Sequence, residues 1–350
     1  MILQVTEEGF VNYCLDKAFE RSAVRCNREA SAVEDREVSF WIKKDSLVIE
    51  NNGEHLRDRR AWKWRVKPTL DFFDLVLKYG SLDLDCKFIL DPSDLTGESS
   101  PPDRPASLVG YGTSLLSNHF SIPDTHFLSY AGMLETEVGR FTSVERGRKN
   151  ATQIAYNDYR SSVKEDPLSH LIGLLREGRM DRVPFEEKKD QALFRGGATN
   201  PQRRRLSHSA LSNPLLDIKL TSGLPQDESI LSPFLSVQEH LEYSYILDIY
   251  GKANSWDRSC WVLPSQSILL AVEPSDPKLA KVHTWYSHFL YEYGIVPQLS
   301  EDELFALKDF SRFSHLNGIQ QNFSRLLLSH STILNFMVKF LERYNKEFNS

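Results

Sequence analysis

No stretch of the 350 residues approaches the run of about 20 apolar residues that a membrane-crossing helix needs, so no transmembrane segment is expected. Cysteine is scarce. Cys14, Cys26, Cys86 and Cys260 are scattered without a C-x-x-C pair, which excludes a disulfide framework and gives no zinc-ligand spacing. The ten histidines add no metal signature, because His283 and His288, five residues apart, do not share one helix face. Positive charge is not in excess: 42 Lys and Arg against 48 Asp and Glu leave a net charge of −6, so a general nucleic-acid role has no electrostatic support. Met1 to Glu8 carries acids where a signal peptide would be basic and then apolar. A cytoplasmic location is therefore expected, where Asn150-Ala151-Thr152 and Asn322-Phe323-Ser324 are chance glycosylation sequons. There is no internal repeat or low-complexity tract, and the length suffices for two cores.

What is present is concentrated in Ala192-Leu193-Phe194-Arg195-Gly196-Gly197-Ala198-Thr199-Asn200-Pro201-Gln202-Arg203-Arg204-Arg205. It reads as an apolar strand, a glycine turn carrying an arginine, then a helix with Asn200 as N-cap and Pro201 at the first helical position. Free backbone N–H groups at such a start, with the helix dipole, attract anions. Arg195 offers a planar fork that suits phosphate oxygens, and the glycines allow close approach. The segment matches neither the Walker pattern nor G-x-G-x-x-G. Its alternative reading is a tight strand-to-helix turn with a solvated arginine. Of Arg203 to Arg205, one is expected to reach a ligand and the others to be solvated.

Downstream, strand and helix signals alternate. Leu215–Leu220, Tyr245–Gly251 and Ser267–Val272 read as strands, Phe234–Leu241 as a short helix and Lys252–Arg258 as the opening of another. Upstream, Leu47–Ile49, Cys86–Leu90 (ending at Asp91) and Ser107–Tyr111 read as strands. Pro68–Tyr79 reads as an amphipathic helix with Leu70, Phe73, Leu75, Val76 and Leu77 on its buried side. Pro92–Pro105 reads as a loop, and Ile122–Leu128 as an extended segment facing a cleft. Glu301–Phe310 and Gln320–Phe348 read as helices. The aromatic cluster Trp285, Tyr286, Phe289, Tyr291 and Tyr293 is mainly core, with a ring available to stack on a sugar or base. The pattern gives an α/β chain of two Rossmann-like halves.

These segments resemble glycosyltransferase family 90, which includes protein O-glucosyltransferases, capsule xylosyltransferases and lipopolysaccharide-modifying enzymes. The resemblance is carried by Phe194-Arg195-Gly196 with the basic Arg203–Arg205, then Tyr243–Asp248 with Gly251, Asn254-Ser255-Trp256 and Leu263–Ser267. Trp285-Tyr286, Tyr293–Pro297 and Asp302-Glu303-Leu304 complete it, so that it spans about Lys87 to about Phe310. It implies a GT-B-like fold of two Rossmann-like domains facing a central cleft. The implied divisions are an acceptor-side domain at 1–150, a nucleotide-sugar domain at 151–318, and helices at 319–350 returning to the N-terminal domain. It also implies an inverting transfer of glucose or xylose from a UDP-sugar to a hydroxyl of a glycan, lipopolysaccharide or protein acceptor.

By the same resemblance Asp91, directly after an apolar strand, is the general base, a role a carboxylate within reach of the acceptor hydroxyl can fill. Asp94 is its competitor in the same loop. Ligands in such sheets bind beyond the strands' carboxyl ends, so Asp91 and the Arg195 turn are expected to face each other. The diphosphate falls to Arg195, the N–H groups of Gly196, Gly197 and Ala198, Arg203, Asn254, Ser255 and Arg258, where preorganised donors stabilise the leaving charge. Asp217 to Thr221, including Lys219, resembles the family's nucleobase-binding segment, acting through backbone groups. Glu273, which follows the strand ending at Val272, reads either as a ligand for donor-sugar or ribose hydroxyls or as a loop residue. Two departures stand out. Ser255-Trp256-Asp257-Arg258 is one residue longer than the Ser-x-Arg of the O-glucosyltransferase branch, which turns a helical side chain by about 100°. Ala271 stands where many relatives have lysine. No metal cofactor is implied. Two other readings are a Mn²⁺-dependent GT-A transferase using the D-x-D of Asp83 and Asp85, and an inactive module that binds a glycan or nucleotide.

Overall fold

The computed structural model describes residues 5–20, 38–44, 46–49, 66–82, 84–91, 108–110, 113–114, 120–124, 127–128, 131, 133, 181, 183–222, 228–251, 258–277 and 282–348. In chain order its main elements begin with α1 (Glu7–Glu20), β1 (Val38–Lys44), β2 (Ser46–Ile49), α2 (Lys67–Gly80), β3 (Leu84–Asp91), β4 (Leu108–Gly110), β5 (Thr113–Ser114) and β6 (Phe120–Ser121). Then come β7 (Lys189–Gly197), α3 (Pro201–Ala210), β8 (Leu216–Ser222), α4 (Val237–His240), β9 (Tyr243–Ile249), α5 (Arg258–Val262) and β10 (Ile268–Val272). The last are β11 (Val282–His283), α6 (Ser287–Glu292), β12 (Gln298–Leu299), α7 (Glu301–Ala306), α8 (Leu316–Leu327) and α9 (His330–Phe348). They divide into two compact units, one of 1–128, 281–289 and 327–350, the other of 129–280 and 290–326.

The first unit holds a sheet in the order β2-β1-β3-β4-β6. β3, β4 and β6 are parallel, but β1 runs antiparallel to both β2 and β3. The half expected to be Rossmann-like is thus a mixed sheet, parallel only over β3, β4 and β6. β1 and β2 are one residue apart in the chain, and so short a connection can only make a hairpin, whereas parallel neighbours need a crossover. On α2 the buried residues are Pro68, Thr69, Leu70, Phe72, Phe73, Val76 and Leu77, while Leu75 is 39% exposed. The buried set follows the i, i+3, i+7 stripe of one helix face, which Leu75 leaves. Phe336, Phe340 and Tyr344 of α9 recur every four residues and so share one face. They meet Trp285, Phe19, Phe120 and Phe88 ring to ring. The segment expected to face a cleft is interior: Ile122, Phe127 and Leu128 are fully buried. There the Phe127 amide donates to Asp124 Oδ1 at 2.9 Å, which starts a helical turn instead of an extended run.

The second unit is a five-stranded sheet, β12-β10-β9-β7-β8, parallel throughout. Ala192, Phe194, Leu216, Ile218, Tyr245, Leu247 and Ile249 turn one face toward Leu206 and Ala210 of α3. Burial of each such Leu or Ile side chain contributes about 1.5–3 kcal/mol. β7 extends through both glycines, with a register shift against β8 at Gly196 and Gly197. The glycines expected in the turn therefore belong to the strand, and the turn itself is 198–200.

Candidate anion-binding site

The strand order creates the site. From β7 the chain moves to β8 on one side, then returns across β7 to β9 on the other, and β10 and β12 follow outward. The direction of winding reverses between β7 and β9. In open parallel sheets ligands bind at such a switch point, beyond the carboxyl ends of the strands. Here those ends are Gly196 and Gly197 on β7, and Tyr250 and Gly251 just past β9.

Asn200 joins the two ends. Its backbone is extended, and its side chain caps α3 by accepting the Arg203 amide at 3.0 Å. Its Nδ2 donates to the carbonyls of Tyr250 and Gly251 at 2.7 and 3.0 Å. Pro201 follows at the first helical position, where a missing N–H is harmless. Arg203, one turn into α3, lies back over the gap between the strands. Its Nη1 donates to Gly197 O at 3.0 Å, and its Nε to Tyr250 O at 2.8 Å and Ile249 O at 3.1 Å. Its Nη2 also donates to Ile249 O. Strand-end carbonyls thus hold this guanidinium. A Cβ at Gly251 would stand 3.1 Å from both Arg203 Nη2 and Thr199 Oγ1, and one at Gly196 only 2.7 Å from Phe194 Cζ. Glycine is needed at both places because the arginine and the ring occupy the space.

Positive charge gathers here. The guanidinium carbons of Arg203 and Arg258 lie 5.0 and 4.9 Å from the centroid of the same Phe194 ring, a cation–π arrangement for both. Arg258, at the start of α5, pairs with Asp248 at 3.2 Å and donates to Arg195 O at 3.1 Å. Burial first, then the like charge of Arg258, pull Arg203 down to about 10, with Asp248 opposing. It remains a cation at neutral pH.

The remaining expected residues are placed as follows. Arg195 is 8% exposed and turned onto the neighbouring strand. Its Nη2 meets Asp217 Oδ2 at 2.6 Å, and its Nη1 donates to Asp217 O at 2.8 Å and Phe194 O at 2.9 Å. Asp217 also accepts the Tyr243 hydroxyl at 3.3 Å. Lys219 lies in register with Arg195 and is half-buried. The Ala198 amide donates to Ser222 O at 2.8 Å, so it is engaged within the strand ends. Glu273 follows β10 with an exposed side chain, and its carbonyl accepts Gln202 Nε2 at 2.7 Å. Arg204 is exposed and Arg205 pairs with Glu301. Asn254 and Ser255 lie outside the described residues, as do Asp83 and Asp94. In the first unit, Asp91 is the last residue of β3, its backbone beside Gly110 of β4. Asp85 is exposed within β3 itself, opposite Lys43 of β1. It lies toward the amino end of that strand, away from the carboxyl end where such sheets bind ligands.

Sequence reasoning did not single out Asp248 or Asn200 as site residues. An aspartate inside an apolar strand, three residues before the glycine that follows it, was the available signal for the first. A capping residue looks the same whether or not its amide reaches another strand. The second unit thus carries three arginines and two partnering aspartates around the ends of β7 and β9, a surplus of one positive charge without counting Lys219. Such a site can take an anion and hold it by charge-assisted hydrogen bonds.

The chain is similar to the O-glucosyltransferase LpsA of Dichelobacter nodosus, with 28% identity over 123 residues. The matched part is 35% of this chain and 36% of that protein, so the likeness spans little more than a third of the relative's length. No protein-family profile matches the chain.

Proposed function

We propose that this chain is an inverting glycosyltransferase that moves a sugar, glucose or xylose, from a UDP-sugar to a hydroxyl of a glycan, lipopolysaccharide or protein. One observation carries the reading: buried Arg203 and Arg258 gather at the β7–β9 switch point beneath a glycine-rich strand end. That is the chemistry a departing diphosphate requires, because charge grows on its oxygens as the bond to the sugar breaks and fixed donors oppose it without reorganising. The distant likeness to an O-glucosyltransferase supports the same class. Arg195, Arg203 and Arg258, with the backbone of Gly196 and Gly197, take the diphosphate. Asn254 and Ser255 assist, and Ala198 contributes through backbone geometry. Asp217 and Lys219 line the nucleoside side, and Glu273 bonds a donor hydroxyl.

Asp91 acts as general base. The acceptor oxygen attacks the anomeric carbon from the face opposite UDP, the carbon–phosphate oxygen bond breaks, and the hydroxyl proton passes to the carboxylate. The reading requires no metal. The two units correspond to the acceptor and donor sides of a GT-B enzyme.

The test is a thermal-shift and calorimetry panel of UDP, GDP, ADP and CMP, with and without EDTA, followed by turnover of UDP-glucose and UDP-xylose. A ligand that binds the folded state raises its melting temperature by mass action. UDP-selective stabilisation that survives EDTA, with sugar transfer, is the expected result. A response only with Mn²⁺ would favour the Asp83 and Asp85 reading instead, and binding without turnover of any UDP-sugar would favour an inactive binding module.

A further inference from the structure

Gln202 is 2% exposed, and its side-chain amide is directed onto the segment that leaves β10. Its Nε2 donates to Glu273 O at 2.7 Å and to Glu301 Oε1 at 3.1 Å, and its Oε1 accepts the Ser275 amide at 3.2 Å. Pro274, between the two bonded backbone groups, has a fixed φ and no N–H. One side chain thus continues the pairing that the sheet stops supplying. On the other side, the Glu273 amide donates to Leu299 O of β12 at 2.8 Å. The Glu273 backbone is therefore bonded at both its N–H and its carbonyl. Its carboxylate, in contrast, is exposed and makes no hydrogen bond or ion pair with a described residue.

Position gives this a use. β10 pairs with β9 up to Val272 and Ile249, so Glu273 leaves the sheet beside Tyr250, about 5 Å away at the spacing of neighbouring strands. The Tyr250 carbonyl accepts Arg203 Nε at 2.8 Å. Gln202 and Arg203 are consecutive residues in the first turn of α3, whose start Asn200 caps. One helical turn thus sets both the guanidinium over the anion site and the acid next to it. A binding group is effective when held to within about 0.5 Å of its working position, and a backbone already fixed lowers the ordering cost of binding.

We infer that Gln202 is a positioning residue: through the Glu273 backbone it holds the Glu273 carboxylate at a set distance from the diphosphate site, where that carboxylate accepts a hydroxyl of the donor. This rests on the UDP-sugar reading above. The test is a double-variant cycle read by calorimetric titration of UDP, UDP-glucose and UDP-xylose. Glu273→Ala should weaken the better-bound UDP-sugar by about tenfold, the loss of one hydrogen bond to a charged group. Gln202→Met keeps the length of the side chain and removes its amide, and should weaken the same ligand by about fivefold. Added to Glu273→Ala, it should change affinity by no more than about twofold, because residues that act through one another are not additive. Gln202→Asn carries an amide one methylene too short to reach, and takes the place of Gln202→Met in the cycle if that variant does not fold. An equal loss with UDP puts the hydroxyl on the ribose, and a loss confined to the UDP-sugar puts it on the sugar; either supports the inference. Losses that multiply in the double variant would overturn it, because Gln202 would then act independently of Glu273. Wild-type affinity in Gln202→Met would overturn it too. So would wild-type affinity in Glu273→Ala, with the UDP-sugar reading left standing. A wild type that binds none of the three ligands would fail that reading itself, and this inference would fall with it.

Discussion

Asn200→Ala tests the architecture of the site without touching a charge. The side chain makes three bonds: it accepts from Arg203 N at 3.0 Å and donates to Tyr250 O at 2.7 Å and Gly251 O at 3.0 Å. Losing an N-cap costs about 1 kcal/mol. Each bond to the β9 end contributes about 0.5–1.5 kcal/mol net. The sum is about 2–4 kcal/mol, and with a shift of about 2–4 °C per kcal/mol for a unit of this size, melting should fall by about 5–15 °C. Asn200→Ser separates the parts, since serine caps the helix but cannot reach β9, so its loss should lie between the other two. Asn200→Asp is no rescue, because its carboxylate would face two carbonyl oxygens. Urea unfolding followed by circular dichroism, with melting curves, reads all four proteins. An alanine variant as stable as the wild type would refute the bridging role, and a serine variant as stable as the wild type would leave only the cap.

Asp91→Asn should abolish sugar transfer while UDP affinity stays within a few-fold, and near-normal turnover in a coupled UDP-release assay would sink the base assignment. Arg195→Ala, in contrast, should weaken UDP binding measured by calorimetry, in addition to slowing transfer. Asp181 and Lys188 form a buried pair at 2.6 Å, with Lys188 held low by burial and raised again in part by Asp181. Asp181→Ala leaves the ammonium with the Leu241 carbonyl alone and removes the acceptor of the Gln266 amide, and should cost about 3–5 kcal/mol in urea unfolding; adding Lys188→Met should recover part of it, the Gln266 amide staying without its acceptor. Burial, then Asp85, pushes the Cys86 thiol from 9.0 up to about 12. The folded thiol keeps its proton while the unfolded one loses it, so this contribution is intact below pH 9 and declines as pH rises from about 9 to about 12, by up to about 1.4 kcal/mol per pH unit. Cys86→Ala should flatten that part of the stability–pH curve, and an unchanged slope would refute the assignment.

Much of the second unit was legible because its signals are local. Asn200 and Pro201 announced the start of α3, and Ala192 to Phe194, Tyr245 to Ile249 and Ile268 to Val272 announced buried parallel strands by their continuous apolar runs. The first unit was less legible. Leu75 sat in an apolar stretch yet left the buried stripe, and the β1–β2 hairpin gave little warning because Leu47 to Ile49 alone looks like any short strand. Residues 122–128 looked extended, but the amides of Phe127 and Leu128 both bond back to Asp124, to its Oδ1 and its carbonyl, which is the geometry of a helix start.

The sequence by itself determined the alternation of strands and helices in the second unit and the start of α3, since caps and periodicity act within four or five residues; it did not show β1, nor that the helix expected over 320–348 is two, Leu316–Leu327 and His330–Phe348. It also determined that an arginine-bearing glycine segment would end a buried strand. Only the tertiary structure decided which arginine lies over the β7–β9 gap, that Arg195 turns to Asp217 22 residues away, and that Arg258 pairs with Asp248 beside Phe194. Those outcomes depend on strand order, and strand order follows from which apolar faces can be covered together by the whole chain, a condition no local stretch of residues contains.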